Sequence, residues 1–572
     1  IFRMRVGVSG VASGKGQGVN IRGCIGVLLA LVLGWMPVSI AWAEDALAAE
    51  IQTLLQSGRH PQLHWGRFSD VAKTLEQLYS PAYAPVWFRD GKATVQARAI
   101  LESLAGADDL GLNASDYDVE WLGQQLQAPE LKADNPRTVA AFDVGLSIAV
   151  TRFVTNVSSG RINPRTVGFG LNVEPRRLDV SKRVREIAQS PQAKALVATL
   201  EPQFPMYRPL KEALLRYRQL AKELPHVRFG FPAKFTPGMS HKDVPALRKL
   251  LLAVGDLKSI DPAVESSELY DPDLAKAVKA FQIRHGLGDD AVIGKGTLAR
   301  LSTPIADRLK QIQIGLERMR WLPSDVRGHY LIVNIPSYRL YGARAGDGIG
   351  HYDLSMNVVV GQAIDGRNTP VFHSDMSMVT FRPYWNVPEG IAAKELVPDI
   401  LKNPKYLQKH AMEIVPNFSL QATPLEPSPS NLQRVAAGAL KIRQRPGGEN
   451  ALGLVKFSFP NTNNVYLHST PSKGLFNRDR RDFSHGCIRV QDPEKLAEWV
   501  LADNGDWPPE RIRDYMEGEA TKTITLKKPI PVYILYSTVM AEPDGTISFF
   551  EDIYGHDRTL QVLLARGFPY PP

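Results

Sequence analysis

Two cysteines occur in 572 residues, Cys24 and Cys487, so no disulfide network holds this chain together. The twelve histidines are scattered and no H-E-x-x-H is present, which argues against a zinc peptidase; no metal site is expected. No basic tract with interleaved aromatics appears, so nucleic acid is not an expected partner. Beyond the first 43 residues, no stretch reads as long and apolar enough to cross a membrane. The run from Gly10 to Gly16 superficially matches a phosphate loop, but Lys15 is followed by Gly16 rather than Ser or Thr. No cofactor is expected.

What is there is ordinary for a large globular protein: 44% hydrophobic and 22% charged residues, with a length that suggests three or four domains of about 150 residues. The formal net charge is +9, and Arg3, Arg5, Lys15 and Arg22 supply four of those charges with no acid before residue 44. So mild an excess suits an acidic polymer or simply solubility. Arg22 precedes the apolar run Ile25–Leu33, then Pro37 and Ala41-Trp42-Ala43. A basic flank, an apolar core and an A-x-A end make an export signal over residues 1–43, with cleavage after Ala43 or retention as an anchor.

From Glu44 to about Val227 the pattern is mainly helical, with an apolar run at Val139–Val157 read as a buried scaffold helix. Tyr79–Trp87, rich in aromatics and proline, reads as a packed loop, and Pro232–Pro237 as a linker. From Ser240 to Leu301, Val244, Leu247 and Leu251 share one helix face, as do Leu274, Val278 and Phe281. Asp271-Pro272 opens the second of these helices. After residue 303 strands dominate: Tyr330–Pro336, Leu354–Val360 and a hairpin of Val455–Phe459 with Val465–His468 around Asn461–Asn464. Between Pro388 and about Leu440 a helical, polar, proline-dotted insertion interrupts them, read as a lid over a cleft, with a surface decoration as the other reading. Asp492-Pro493-Glu494 starts a short helix to about Leu501, and Val532–Tyr536 alternates as a strand.

Once the signal is removed, Cys487 is the lone thiol of an exported chain, and such a thiol is buried and inert, intermolecular or chemically employed. Its setting is Ser484-His485-Gly486-Cys487-Ile488-Arg489, with His468 nineteen residues upstream. A thiol attacks as its thiolate and needs a neighbour that takes its proton or lowers its pKa; an imidazole does both. His468 ends a strand and Cys487 sits in a turn, so a hairpin-like return can bring them together. Gly486 permits close approach of a substrate, and the amides of Gly486 and Cys487 can donate to an oxyanion. The rival is a core histidine beside a buried cysteine.

His468 followed by Ser484-His485-Gly486-Cys487-Ile488-Arg489 resembles the signature of the L,D-transpeptidase (YkuD-type) catalytic domain. Arg318–Pro323, Val333–Pro336, Thr369–Phe372, Pro383–Pro388 and Arg445–Asn450 support the resemblance; Arg489 stands where many smaller relatives carry Asn. Tyr270-Asp271-Pro272, Ala277–Gln282 and Asp290–Gly294 resemble the small three-helix peptidoglycan-binding domain, with Ala291 where its turn usually has Gly. Together these resemble a large, YcbB-like Gram-negative member of the family. The resemblance implies a multidomain α+β fold: a signal at 1–43, a helical scaffold at 44–235, a peptidoglycan-binding-like domain at 238–302, a mostly-β catalytic domain at 303–508 with a lid at 389–440, and a C-terminal segment, 509–572, packing on the others.

By the same resemblance Cys487 is the nucleophile and His468 the general base. Gly486, His485, Tyr466 and Ser469 are oxyanion or positioning residues, and Arg489, Ser484, Trp385, Tyr384 and Arg481 substrate-binding candidates. The implied reaction forms a 3→3 peptidoglycan cross-link through a thioester made from a tetrapeptide stem, with release of D-Ala and without ATP. Hydrolysis or attachment to a lipoprotein lysine by the same acyl-enzyme is the alternative, and a non-enzymatic wall-binding scaffold a third. Implied partners are donor and acceptor peptide stems and other wall synthases, with carbapenem β-lactams as inhibitors and the periplasm as location, free or anchored to the inner membrane.

Overall fold

The computed structural model describes residues 36–570 apart from 133, 172–177, 324–327, 345–351, 365 and 543. Cys24 and the basic and apolar parts of the expected export signal therefore lie outside the described residues.

The front of the chain is helical, built around α1 (Met36–Ser57), α2 (Pro136–Ser159) and α3 (Tyr207–Glu223). Asn135 caps α2 by accepting from the Thr138 amide at 3.3 Å, with Pro136 in the first turn. By length and hydropathy α2 matches a membrane span, contrary to the expectation that no such stretch follows residue 43; most of it is buried within the protein. Its polar residues are satisfied there. Asp143 accepts from the Tyr79 hydroxyl at 2.6 Å and from the amides of Val86 and Trp87 at 2.9 and 2.7 Å, while the Trp87 indole donates to Ser147 at 2.9 Å. The aromatic stretch Tyr79–Trp87 is thus a loop pinned onto α2.

A three-helix unit follows: α4 (Val244–Val254), α5 (Pro272–Arg284) and α6 (Lys295–Leu301). Asp271 caps α5, accepting from the Leu274 amide at 2.8 Å. The expected linker is instead part of this unit. Phe229, Phe231 and Phe235 enter its core, and Phe235 bridges to Ile293, because three rings that bury this much apolar surface are held there. Ala291 adopts φ +59°, the left-handed conformation that favours glycine. Its carbonyl accepts from the buried Tyr270 hydroxyl at 2.7 Å and its amide donates to Gln282 at 2.9 Å.

After α7 (Ile305–Met319) come the strands β1 (Tyr330–Asn334), β2 (Arg339–Ala343), β3 (Leu354–Gly361), β4 (Phe372–Phe381), β5 (Trp385–Asn386), β6 (Met412–Val415), β7 (Lys441–Gln444), β8 (Val455–Ser458), β9 (Leu467–His468), β10 (Asp482–Ser484), β11 (Ile488–Val490) and β12 (Lys522–Leu535). Their order is β10-β3-β11-β9-β8-β4-β12-β1-β2, and β2 pairs again with β3, so eight of them close into a barrel with β10 attached to β3. Strand β12 lies between β4 and β1. The segment beyond residue 508 therefore completes the barrel, rather than only packing against it.

The insertion between β4 and β8 carries its own three-stranded sheet, β5-β7-β6, and its own apolar core of Val387, Leu396, Val397, Ile400, Ile414 and Ile442 among others. It is a small unit, and one of its turns, Ala392–Leu396, is a π turn rather than an α turn.

Candidate active site

The hairpin read in the sequence is present: β8 and β9 pair with Lys456 opposite His468 and Phe457 opposite Leu467. Strand β11 then runs parallel to β9, with Leu467 opposite Ile488 and His468 opposite Arg489, and the Ile488 amide donates to the Tyr466 carbonyl at 3.1 Å. Side chains alternate along strands, so Phe457, Leu467 and Ile488 enter the barrel core while Lys456, Tyr466, His468 and Arg489 share the other face. Cys487, one residue before β11, falls on this second face too. A strand spacing and two residue rises put it diagonal to His468, roughly 8 Å between backbones, within reach of the two side chains.

The cysteine loop is fixed from several sides. Gly486 has φ +116°, a backbone turn that favours glycine. Its carbonyl accepts from the Thr369 hydroxyl at 2.8 Å, and that hydroxyl in turn accepts from the Gly361 amide at 2.8 Å. Ser484 Oγ takes the Gly486 amide at 3.2 Å and donates to the Cys487 carbonyl at 2.5 Å. The Gly486 amide is therefore engaged, which corrects its expected role as an oxyanion donor. Among the described residues the Cys487 amide has no acceptor.

The histidine is held with equal care. His468 is buried, and its Nδ1 lies 2.5 Å from the Ser469 carbonyl, which fixes the tautomer with Nδ1 protonated and Nε2 bearing the lone pair. Ser469 thus orients the imidazole through its main chain. Gly453, at φ +61°, passes so close that a β-carbon there would sit 2.5 Å from Ser469 Oγ. Burial, with Arg489 and Lys456 adding positive charge, lowers the imidazole pKa to about 3, so it is neutral at ordinary pH. Burial pushes the half-buried Cys487 thiol up; the Tyr466 main chain and phenol and the charges of Lys456 and Arg489 oppose that shift. The thiol donates to the Asn464 carbonyl at 3.7 Å. At rest the strand face carries a neutral thiol and a neutral, oriented base, with the charges of Lys456 and Arg489 favouring the thiolate.

Family comparison matches three segments. Residues 73–214 match a model described as "Scaffold domain", 240–301 one described as "Putative peptidoglycan binding domain", and 328–534 the "L,D-transpeptidase catalytic domain", YkuD. The last contains the whole histidine–cysteine face. This domain belongs to the YkuD family. A Haemophilus influenzae protein named "Putative L,D-transpeptidase" is 33% identical over 254 residues, which cover 44% of this chain and 49% of the relative. The chain thus spans about half the length of that curated relative. The chain carries a helical scaffold, a peptidoglycan-binding-type domain and a mostly-β YkuD domain, as the resemblance implied.

Within the YkuD domain the other candidates sit in distinct places. Tyr466 packs edge-on against His468, ring centroids 5.7 Å apart. His485 donates through Nε2 to the Glu395 carboxylate of the insertion at 2.9 and 3.2 Å, and Arg367 donates to the same carboxylate at 2.7 Å. Three expected substrate contacts are engaged elsewhere. Trp385 belongs to β5 and packs on the insertion core, and Tyr384 lies under the Arg443 guanidinium at 4.8 Å. Arg481 stacks on Tyr338 at 5.3 Å and donates to the Arg478 carbonyl at 2.6 Å. Structural work occupies all three. Lys456, Glu395, Arg367 and Thr369 were not singled out from the sequence as site residues, although Thr369 stands in a quoted family fragment and Lys456 in the alternation of the hairpin. Among the described residues no cluster of side chains could hold a metal.

Proposed function

We propose that this protein is a periplasmic L,D-transpeptidase that forms 3→3 peptidoglycan cross-links through a cysteine thioester. The observation that carries the reading is the shared strand face of His468 and Cys487, with an imidazole kept neutral and aimed by the Ser469 carbonyl. In the proposed reaction Nε2 of His468 takes the thiol proton as Sγ attacks the carbonyl of the third residue of a tetrapeptide stem. The tetrahedral oxyanion takes the free Cys487 amide, with Tyr466 beside it. Collapse breaks the C–N bond; the leaving amine of D-Ala receives the proton from His468, and a thioester remains. A side-chain amine of a second stem then attacks the thioester, its proton passes to the thiolate, and an amide cross-link forms. The thioester conserves the energy of the broken amide, as a compartment without ATP requires.

The YkuD domain and the peptidoglycan-binding-type domain on the same chain support wall peptide as substrate and the wall as the place of action. The deciding experiment incubates the protein with disaccharide-tetrapeptide and reads products by mass spectrometry. A dimer lacking one D-Ala is expected. Tripeptide alone would mean water is the acceptor, and no turnover at all would leave only a binding scaffold. In parallel, a carbapenem is expected to add covalently to Cys487 and not to the Cys487→Ala variant; an unchanged adduct on that variant would assign the nucleophile elsewhere.

A further inference from the structure

Lys456 and Arg489 stand on the two strands that flank β9, each directly opposite His468 in register. Two strand spacings, roughly 10 Å, separate their backbones, so these long side chains can converge on one small group above the imidazole. Neither has an anionic partner among the described residues. The Lys456 ammonium rests on the Tyr466 ring, 4.0 Å from its centroid, and Arg489 Nε is buried without an acceptor. Nearby acids are committed: Asp482 is held by Arg480 at 2.7 and 3.0 Å, and Glu395 by Arg367 and His485. Two half-buried like charges on one face repel each other, and a guanidinium nitrogen without an acceptor loses hydration with nothing in return. An anion between them relieves both penalties.

We propose that Lys456 and Arg489 form a clamp for the terminal carboxylate of the donor peptide, that of the leaving D-alanine. This rests on the function proposed above. His468 must hand its proton to the leaving nitrogen, so that nitrogen lies at His468, and the D-alanine carboxylate is two bonds away from it. The carboxylate therefore falls over the strands beside His468, where the two cations wait. The clamp selects a stem that ends at this alanine: a stem longer by one residue carries its carboxylate past the cations, and a blocked carboxylate loses the charge.

The test uses the full chain with Cys487→Ala, so that binding is measured without turnover. Calorimetry compares disaccharide-tetrapeptide ending in the free acid with the same molecule ending in a carboxamide. The acid is expected to bind at least about tenfold tighter, as hydrogen bonds to a charged group warrant. Adding Lys456→Met or Arg489→Met is expected to abolish most of that preference, and Lys456→Arg to retain it. Where a variant melts early, the salt dependence of the acid-to-amide ratio in the parent serves instead, and the ratio is expected to fall as salt rises. Equal binding of acid and amide, or a preference that survives both substitutions or is indifferent to salt, overturns the clamp. The two proposals fail separately: a cross-linked dimer without acid preference removes the clamp alone, and acid preference without turnover removes the transpeptidase reading alone.

Discussion

His468 is flanked by two cations and buried, and Cys487 shares their field, so the charges act on the pair with opposite consequences. Each cation disfavours imidazolium and favours thiolate. With the imidazole pKa at about 3, the base form persists from neutral pH down to well below the usual histidine range. Acylation by a carbapenem should therefore show no acid limb near pH 6.5, and alkylation of Cys487 by iodoacetamide should climb with pH past the ordinary thiol range. A reactivity plateau below pH 7 would indicate a preformed thiolate–imidazolium pair and refute this account. Removing one cation with Lys456→Met should raise both pKa values and slow alkylation at fixed pH roughly fivefold, for a partly screened interaction of about 1 kcal/mol. Cys487 and His468 stood out as candidates because a thiol next to a glycine and a strand-ending imidazole mark their chemistry locally. Lys456 was visible only as the polar half of an alternation, and its place opposite His468 depends on register. Thr369 reaches Gly486 across more than a hundred residues of chain, a contact no local pattern encodes.

At the scale of elements, local rules read well and long-range pairings did not. The caps Asp271 and Asp492, the turn at Asn461 and the helix Pro493–Leu501 follow from side chains that bond their own backbone. Closure of the barrel through β2 and β3, and the central place of β12, follow from nonlocal strand order instead. The insertion was legible as a helical interruption, but its attachment was not. Glu395, in the π turn Ala392–Leu396, ties the insertion to His485 and Arg367, two residues from Cys487 in one case. These groups are about a third exposed, so the two contacts together are screened to about 1 kcal/mol. Glu395→Ala should speed hydrogen exchange of the amides in 392–402 roughly fivefold and raise KM for the peptide donor more than it lowers kcat. Glu395→Gln, which keeps an acceptor, should fall between. Unchanged exchange in the alanine variant would mean that the insertion is held by its other contacts.

At the scale of the whole molecule, one apolar core runs from scaffold to barrel: Phe204, Leu210 and Tyr217 from the helical front, Ile312 and Leu316 from α7, then the barrel strands and Val539, Phe549 and Leu560 beyond them. The three-helix unit joins it through Arg284, which pairs with Asp256 at 2.6 Å and donates to the Ile547 carbonyl at 3.2 Å. Glu317 on α7 is the polar keystone of the scaffold junction. It is fully buried, accepts from the amides of Arg161 and, at 3.1 Å, Ile162, and pairs with the guanidinium groups of Arg161 at 3.3 Å and Arg320 at 3.7 Å. Replacing it with apolar surface strands the buried Arg320, the largely covered Arg161 side chain and the amides of Arg161 and Ile162, a loss of about 3–5 kcal/mol. Glu317→Ala should therefore lower the first thermal transition by roughly ten degrees. Glu317→Gln, which can still accept the two amides but lacks the charge, should lower it less. Because the same core carries β12 into the barrel, the alanine variant should also expose Cys487 to alkylation at temperatures where the parent is protected. A melting curve that coincides with the parent's would show that scaffold and barrel are stabilised independently of this carboxylate.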